Sequence, residues 1–208
     1  MQESLVSRRR RGSANPYARP DRYTVLAKKE GYAARSVYKL DEIQNRFRVL
    51  AQGDSVLDLG CSPGSWSRFA QGVIGGRGTL VGVDIEPPAD PVGEVIVASI
   101  FDLTADQLRA SLGGDADAVL SDMAPRTTGN ALGDHARQIE LASRAMAIAR
   151  EVLRPGGNAV VKVFDGEDAH AFVQEQRPHF TKVKRARPDA VRRSSREFFL
   201  VCLGAVRQ

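Results

Sequence analysis

The chain has 208 residues, of which 42% are apolar and 26% charged, and this length and composition suit one packed domain. Its longest apolar run, residues 198–206, falls short of the ~18 residues of a membrane span, and no apolar region follows the N-terminal arginines as in a secretory signal. We therefore expect a cytoplasmic protein without membrane association, and we also expect a monomer. The net charge is +5, and the three histidines lack metal-ligand spacing, so we expect no metal site.

Basic residues concentrate at both ends of the chain. Residues 1–30 carry eight Lys/Arg against three Asp/Glu, and residues 182–208 carry eight against two, with the runs RRRR and VRRSSR standing out. Such clusters suit contacts with the phosphates of a nucleic acid; a solvated tail and an exposed strand end are the alternative. Because residues 1–20 also lack hydrophobic periodicity, we expect a flexible basic arm there and a single domain over residues 21–208.

The first predicted element of the domain is an amphipathic helix over residues 33–47. Apolar residues recur there at helical spacing from Val37 to Phe47, which makes one apolar stripe. Lys39 lies on the flank of this stripe. The segment by itself does not explain why a lysine stands there.

Short apolar runs then alternate with helical patterns. Predicted strands cover residues 55–60, 79–84, 94–99, 117–123 and 158–164. Predicted helices begin near residue 64, after residue 104 and near residue 134, and a further one covers residues 167–174. Continuous apolar strands alternating with helices indicate an α/β fold with a parallel sheet covered on both faces. The ending, FTKVKRARP and REFFLVCLG, predicts a final antiparallel pair and favours a methyltransferase-like sheet over a plain dinucleotide-binding fold.

The segment DLGCSPGSWS, residues 58–67, leaves the first strand through a glycine-rich turn and enters a helix. Gly60 and Gly64 allow close backbone approach, and the helix N-terminus offers free N–H groups to a polar ligand. The loop has neither the G-x-G-x-x-G of nicotinamide sites nor the lysine of a phosphate-binding loop. We therefore expect a nucleotide-type cofactor across this loop, at the carboxyl ends of the strands.

Asp84 closes the second predicted strand, where an acidic side chain can accept both hydroxyls of a ribose. A turn or capping aspartate is the alternative, since Glu-Pro-Pro follows. An acid at this position, the Gly-Pro-Gly loop and the lack of a phosphate cradle together suggest S-adenosylmethionine as the cofactor.

Five segments occur in an order and spacing that resembles the FtsJ/RrmJ (RlmE) family of ribose 2′-O-methyltransferases. They are KKEGYAARSVYKLDEI, DLGCSPGSWS, SDMAP, VVKVF and SREFFLV, which span roughly residues 28–204. The resemblance implies a Rossmann-like class I methyltransferase fold with a mostly parallel seven-stranded sheet, helices on both faces and a final antiparallel strand. It also implies S-adenosylmethionine and a catalytic tetrad of Lys39, Asp122, Lys162 and Glu197.

The positions of these residues in the predicted strands also favour this tetrad. Asp122 ends the fourth predicted strand and Lys162 lies in the fifth, so a parallel sheet brings them to the same edge. A lysine flanked by valines is costly to bury uncompensated, and Glu197 similarly interrupts the last strand. Taken singly, however, Lys162 could be a snorkelling lysine, Asp122 a turn cap, and Lys39 and Glu197 ordinary surface charges.

A ribose hydroxyl is a poor nucleophile at neutral pH and must be held in line and relieved of its proton. Lysine serves as a base where desolvation or a neighbouring cation lowers its pKa, so we assign Lys162 as the general base or hydroxyl-steering group. Asp122 would orient Lys162 and lie near the cofactor's sulfonium, while Lys39 and Glu197 would position the ribose.

The resemblance also suggests which residues contact the cofactor. Trp66 matches the family's cofactor-contacting tryptophan, with helix packing as the alternative. The chain departs from the family after the third strand, where ASIFD puts Ile100 at the position of an acidic residue. Main-chain contact or a shifted role for Asp102 would replace that interaction with adenine.

The expected reaction is S-adenosylmethionine-dependent methylation of a ribose 2′-hydroxyl in RNA. The resemblance points to a uridine of large-subunit (23S) ribosomal RNA, docked by the basic arm and the C-terminal basic cluster. Methylation of a tRNA anticodon loop and a non-catalytic role in ribosome assembly are the alternatives. An intact tetrad disfavours the last of these, because binding alone needs no buried lysine.

Overall fold

A computed structural model describes residues 21–126 and 128–206. The predicted flexible arm, residues 1–20, lies outside the described residues. Of the helices in the described ranges, none combines the length and apolar character that a membrane span requires.

Six α-helices and two short 3₁₀ turns occur in the described chain. The helices are α1 (Arg22–Lys29), α2 (Val37–Phe47), α3 (Ser65–Ile74), α4 (Ala105–Leu112), α5 (Ala131–Val152) and α6 (Ala169–Gln176), and the 3₁₀ turns are Gly75–Arg77 and Arg177–His179. Local capping explains several boundaries: Asp21 accepts a hydrogen bond from the Thr24 N–H at the start of α1, and Thr104 forms a capping box with Gln107 at the start of α4.

Seven strands form one sheet in the order β3-β2-β1-β4-β5-β7-β6. They are β1 (Ser55–Leu59), β2 (Thr79–Asp84), β3 (Glu94–Val97), β4 (Ala116–Ser121), β5 (Leu153–Phe164), β6 (Phe180–Ala186) and β7 (Glu197–Ala205). The pairs from β3 to β5 are parallel, whereas β7 runs antiparallel to both β5 and β6. The predicted mostly parallel sheet with a reversed final strand is therefore confirmed.

The largest differences from the prediction are two element starts and one additional helix. The predicted helix over residues 33–47 begins only at Val37, because residues 33–36 form a turn that is bound to α3. The fifth strand begins at Leu153 rather than residue 158, since Leu153 pairs with Ala116 ahead of a register irregularity. Helix α1 was not predicted, since its periodicity is short and it buries only Ala27.

Two hydrophobic clusters cover the two faces of the sheet. On one face α4, α5 and α6 pack their apolar residues, including Leu108, Met146 and Phe172, against the strands. On the other face α2 and α3 do the same through Leu40, Trp66 and other residues. This arrangement leaves the carboxyl edge of the parallel strands open between the layers, and α2 reaches that edge from the second face.

Strand β1 contains a carboxyl group that is fully buried in the fold. Asp58 is 0% exposed, its Oδ2 accepts a hydrogen bond from Ser67 Oγ at 2.6 Å, and its Oδ1 has no hydrogen-bond partner among the described residues. Burial raises the pKa of Asp58 to about 7; the Ser67 hydroxyl opposes this rise, and the negative charges of Asp122 and Asp84 add to it.

This raised pKa makes stability depend on pH. Between the ordinary value of 3.8 and about 7, the folded protein holds a proton that the unfolded chain has released, so raising the pH through this window favours unfolding. We expect Asp58→Asn to remove this dependence, so that the free energy of unfolding of the wild type falls relative to the variant between pH 5 and 7.

Urea unfolding at several pH values measures this difference, with Asp102→Asn, at an exposed position, as the control. A difference between wild type and Asp58→Asn that stays constant from pH 5 to 8 would contradict the prediction.

Candidate active site

Four charged side chains from four parts of the chain meet at the carboxyl edge of the sheet. The Lys162 Nζ lies 3.1 Å from Asp122 Oδ1, and the Lys39 Nζ lies 3.8 Å from the same oxygen and 2.6 Å from Glu197 Oε1. Their side chains are at most 16% exposed. The four residues of the predicted tetrad are thus brought together in one largely buried cluster with balanced formal charge.

Lys162 enters this cluster from strand β5. The lysine is 6% exposed between two fully buried valines, and it pairs in register with Phe199 of β7. Its ammonium also donates a hydrogen bond to the carbonyl oxygen of Asp122, which directly follows β4. The Lys162 peptide carbonyl accepts a hydrogen bond from Gln138 Nε2 at 2.9 Å. Hydrogen bonds therefore hold both the backbone and the side chain of Lys162 in place.

Lys39 is positioned by the attachment of α2 to α3. The Ala34 N–H donates to Ser65 Oγ at 2.7 Å, and the Trp66 indole N–H donates to the Ser36 carbonyl at 2.9 Å. These bonds fix the turn that starts α2, three residues before Lys39. The helix that follows the glycine-rich loop therefore also determines where this lysine lies.

Lys39 also packs next to a pair of aromatic rings. The rings of Trp66 and Phe199 lie 5.6 Å apart, and the Lys39 ammonium lies 5.6 Å from the centre of the Phe199 ring. This distance is within the range of a cation–π contact. The packing role that was the alternative for Trp66 is present: its ring is 3% exposed and its N–H is already bonded.

Glu197 is held as a carboxylate by its surroundings. It is the first residue of β7, rather than an interruption within it, and lies opposite Phe164 of β5. Burial alone would raise the pKa of Glu197, but the Lys39 and Lys162 charges and a Ser195 hydrogen bond bring this pKa below its ordinary value. The cluster therefore retains a negative charge on Glu197 at neutral pH.

Asp122 connects the charged cluster to a cavity of about 740 Å³ over the ends of β1, β2 and β4. The cavity is also lined by Gly60, Ser62 and Asp84 from the loops that follow β1 and β2. Its size is that of a small-molecule or cofactor site. A ligand in this cavity would border the four charged groups through the Asp122 side chain.

The glycine-rich loop is shaped by contacts that need glycine. Gly60 has φ +81°, and a Cβ there would come within 2.3 Å of the Met123 side chain. Gly64, at φ +106°, precedes α3 but does not line the cavity.

Asp84 Oδ2 accepts from the Ser62 N–H at 2.9 Å, and Oδ1 accepts from the Glu86 N–H at 3.0 Å. Asp84 thus organises both loops, as its turn alternative required, and still faces the cavity with free acceptor capacity.

The cavity is also lined by two exposed apolar side chains that the sequence did not predict as site residues. Ile85 is 62% exposed and Phe101 is 48% exposed, and both belong to the cavity wall. The signal was a large apolar residue directly after a strand end or a turn, where polar residues are usual. Such residues suit the faces of a planar aromatic ligand.

The residues after β3 take a different arrangement from the one predicted for Asp102. Ile100 lines the cavity and Asp102 does not. The Ile100 carbonyl accepts a hydrogen bond from Arg144 Nε at 2.9 Å, which holds this turn against α5. The residues of this segment that line the cavity are Ala98, Ser99, Ile100 and Phe101.

Comparison with known proteins agrees with this architecture. A family model described as FtsJ-like methyltransferase matches residues 32–205. The ribosomal RNA large subunit methyltransferase E of Desulfatibacillum aliphaticivorans is 44% identical over 184 residues, covering 87% of this chain and 88% of the relative. The protein of the same name from Cenarchaeum symbiosum is 43% identical, covering 90% and 96% of the two chains.

Solved structures show the same fold. A crystal structure described as that of a putative ribosomal RNA methyltransferase from Plasmodium falciparum superimposes with a TM-score of 0.74 at 25% identity, covering 85% of this chain and 100% of the other. Aeropyrum pernix fibrillarin, solved with bound S-adenosyl-L-methionine, superimposes with a TM-score of 0.58 at 16% identity, covering 81% and 76%. The matched length of the family model and the identity to its members establish that the chain belongs to the FtsJ-like methyltransferase family.

Proposed function

We propose that this protein transfers the methyl group of S-adenosylmethionine to a ribose 2′-hydroxyl of large-subunit ribosomal RNA, with a uridine as the target nucleotide. The observation that carries the proposal is the position of Lys162, 3.1 Å from an aspartate that also lines the cofactor-sized cavity. Relatives that share more than 40% of their residues with this chain are named as large-subunit ribosomal RNA methyltransferases.

The residues of the cavity fit S-adenosylmethionine, which when bound supplies an electrophilic methyl group on a positively charged sulfur. Asp84 retains acceptor capacity for the hydroxyls of the cofactor ribose. The apolar side chains of Ile85 and Phe101 suit an adenine ring. They would add to, or stand in for, the main-chain contact or the shifted Asp102 contact that the sequence predicted. Asp122 supplies a carboxylate to the region between the cavity and the lysines, where a sulfonium would be favoured.

Each member of the cluster has a proposed role in the transfer. Lys162 steers the target hydroxyl. After its ammonium has released a proton to solvent, the neutral amine takes up the hydroxyl proton as the oxygen attacks the methyl carbon. Asp122 holds the Lys162 ammonium at 3.1 Å, while Glu197 holds Lys39 at 2.6 Å so that it contacts the target ribose. The largely buried position of all four groups keeps the polar contacts strong.

The proposed RNA is contacted by the basic residues at the two ends of the chain, through phosphate charge rather than base sequence. A ribosomal substrate also agrees with the expected cytoplasmic location and with action as a monomer.

The site of methylation is tested by incubating the protein with radiolabelled S-adenosylmethionine and intact large subunits, naked ribosomal RNA or tRNA. We expect label in large-subunit RNA at one alkali-resistant position, because a 2′-O-methyl group blocks cleavage of the adjacent phosphodiester. Label on a base would contradict the ribose assignment. Label in tRNA only would favour the anticodon-loop alternative, and no transfer to any substrate would favour a non-catalytic assembly role.

Replacing Lys162 should abolish methyl transfer and leave cofactor binding in the cavity nearly unchanged. Lys162→Ala and the longer, neutral Lys162→Met are expected to lower the transfer rate by about 100-fold or more, the range for loss of an acid–base group. Cofactor affinity, measured by calorimetry, should change little, since Lys162 does not line the cavity. The charge-matched control Arg77→Ala, at an exposed position, should retain full activity. Turnover retained by both Lys162 variants would remove this residue from its role.

Loss of the exposed aromatic ring in the cavity should weaken cofactor binding selectively. Phe101→Ala is expected to raise the Kd for S-adenosylmethionine about fivefold, as the loss of roughly 1 kcal/mol of stacking implies, while Phe101→Leu has a smaller effect. The control is Val97→Ala, at another exposed apolar side chain that does not line the cavity. Equal affinity of Phe101→Ala and Val97→Ala for the cofactor would contradict the assignment of Phe101.

A further inference from the structure

A carboxylate is held between two arginines at the start of the described chain. Asp21 Oδ2 forms an ion pair with Arg35 and lies 3.4 Å from Arg192 Nε. The three residues come from the N-cap of α1, the turn before α2 and the loop between β6 and β7. One carboxylate oxygen thus joins three segments that are distant in sequence.

The two arginines form an anion site rather than an ordinary surface pair. The Arg35 side chain is 16% exposed, and its guanidinium also donates to the Ala190 carbonyl of the β6–β7 loop. Burial, with the nearby Arg192 charge, lowers the pKa of Arg35. Arg192 is 39% exposed, so the pair is open to solvent on one side, and an anion between the two guanidinium groups offsets their mutual repulsion. In the structure Asp21 provides that anion.

The anion site lies beside the active site. Arg35 lies in the turn before α2, four residues ahead of Lys39 in the chain, and the Glu197 charge acts on the Arg35 guanidinium. The β6–β7 loop that carries Arg192 leads directly into Glu197. Glu42 fixes this loop, because its carboxylate accepts the N–H groups of Asp189 at 2.7 Å and Ala190 at 3.0 Å.

The surface next to the anion site is also basic and partly aromatic. A groove of about 810 Å³ is lined by Arg22, Tyr23, Arg187 and Arg193 together with other residues of α1 and the β6–β7 loop. The Arg22 guanidinium lies 4.7 Å from the centre of the Tyr23 ring. Arginines interleaved with an aromatic ring suit a nucleic-acid backbone and its unstacked bases.

We propose that Arg35 and Arg192 bind a backbone phosphate of the RNA next to the target ribose, and that the Asp21 carboxylate occupies this site until RNA displaces it. The inference rests on the proposed function, because it specifies where that RNA is held. A backbone phosphate has two non-bridging oxygens that share one negative charge, as the two oxygens of a carboxylate do, so it offers guanidinium groups a similar forked acceptor.

Displacement of Asp21 would leave helix α1 capped. Asp21 Oδ1 accepts from the Thr24 N–H at 3.0 Å and from the Thr24 hydroxyl at 3.2 Å, whereas the arginines contact Oδ2. An asparagine can keep the Oδ1 cap while losing the charge. Asp21→Asn is therefore the variant that separates the two roles of this side chain.

The test measures binding of a transcript of large-subunit ribosomal RNA to the full-length protein by filter retention at several KCl concentrations. We expect Asp21→Asn to bind the transcript about three- to tenfold more tightly, because phosphate no longer competes with a carboxylate, with a salt slope steeper by close to one. The control Asp106→Asn makes the same charge change at an arginine-paired aspartate in the first turn of α4 and should alter affinity less than twofold. Unchanged or weaker binding of Asp21→Asn would overturn the proposal and leave Asp21 as a structural tie.

A second variant tests whether the effect of Asp21→Asn depends on Arg192 rather than on a change in folding. Arg192→Gln, in the β6–β7 loop, should weaken binding and reduce the salt slope by close to one, and it should abolish the gain from Asp21→Asn in the double variant. Tightening by Asp21→Asn that persists in full in the Arg192→Gln background would overturn the assignment of Arg192.

The same samples distinguish this inference from the proposed function. Ribose methylation by the wild type with no change in RNA affinity for Asp21→Asn or Arg192→Gln would overturn the phosphate site and leave the function intact. The predicted affinity changes without ribose methylation would support an RNA phosphate site and overturn the function.

Discussion

Two lysine ammoniums in a nearly closed pocket require two carboxylates, and this charge balance is the constraint on which the site depends. Lys162 is only 6% exposed, and burying its charge is costly. Asp122 compensates this cost, because its carboxylate lies 3.1 Å from the Lys162 Nζ and its carbonyl oxygen accepts a hydrogen bond from the same nitrogen. Lys39 is compensated by Glu197 at 2.6 Å. Removal of any one member would leave an uncompensated charge, which couples the four groups into one unit.

The fold satisfies this constraint by bringing different elements to one edge. Asp122 follows β4, Lys162 lies in β5 and Glu197 begins the reversed strand β7. The fourth member comes from outside the sheet, where α2 is attached to α3 through hydrogen bonds at Ser36 and Ser65. Since α3 also follows the glycine-rich loop, the cavity wall and the Lys39 position depend on the same local structure.

The β6–β7 loop connects the charged cluster to the basic surface. Its end is Glu197, its middle is fixed by Glu42 and Arg35, and Arg192 approaches Asp21 at the first described residue. Among the described basic residues, Arg22 near one end of the chain and Arg187 and Arg193 near the other line one groove, although most of the sequence separates them. Such convergence would allow phosphate contacts to orient a ribose over Lys162 without reading base sequence.

The sequence by itself determined the α/β class and the strands near residues 55–60, 79–84 and 158–164, because apolar periodicity is a local property. The choice of the four cluster residues came from the resemblance of five motifs to a known family, since each residue taken singly had another explanation. Tertiary structure alone decided that residues 33–36 form a turn, that Trp66 is buried under Lys39, and that Phe101 rather than Asp102 faces the cavity. It also decided the pairing of Asp21 with Arg192, which lie 171 residues apart. These features depend on which surfaces pack together and which charges share a low-dielectric space, and no local pattern of residues encodes that.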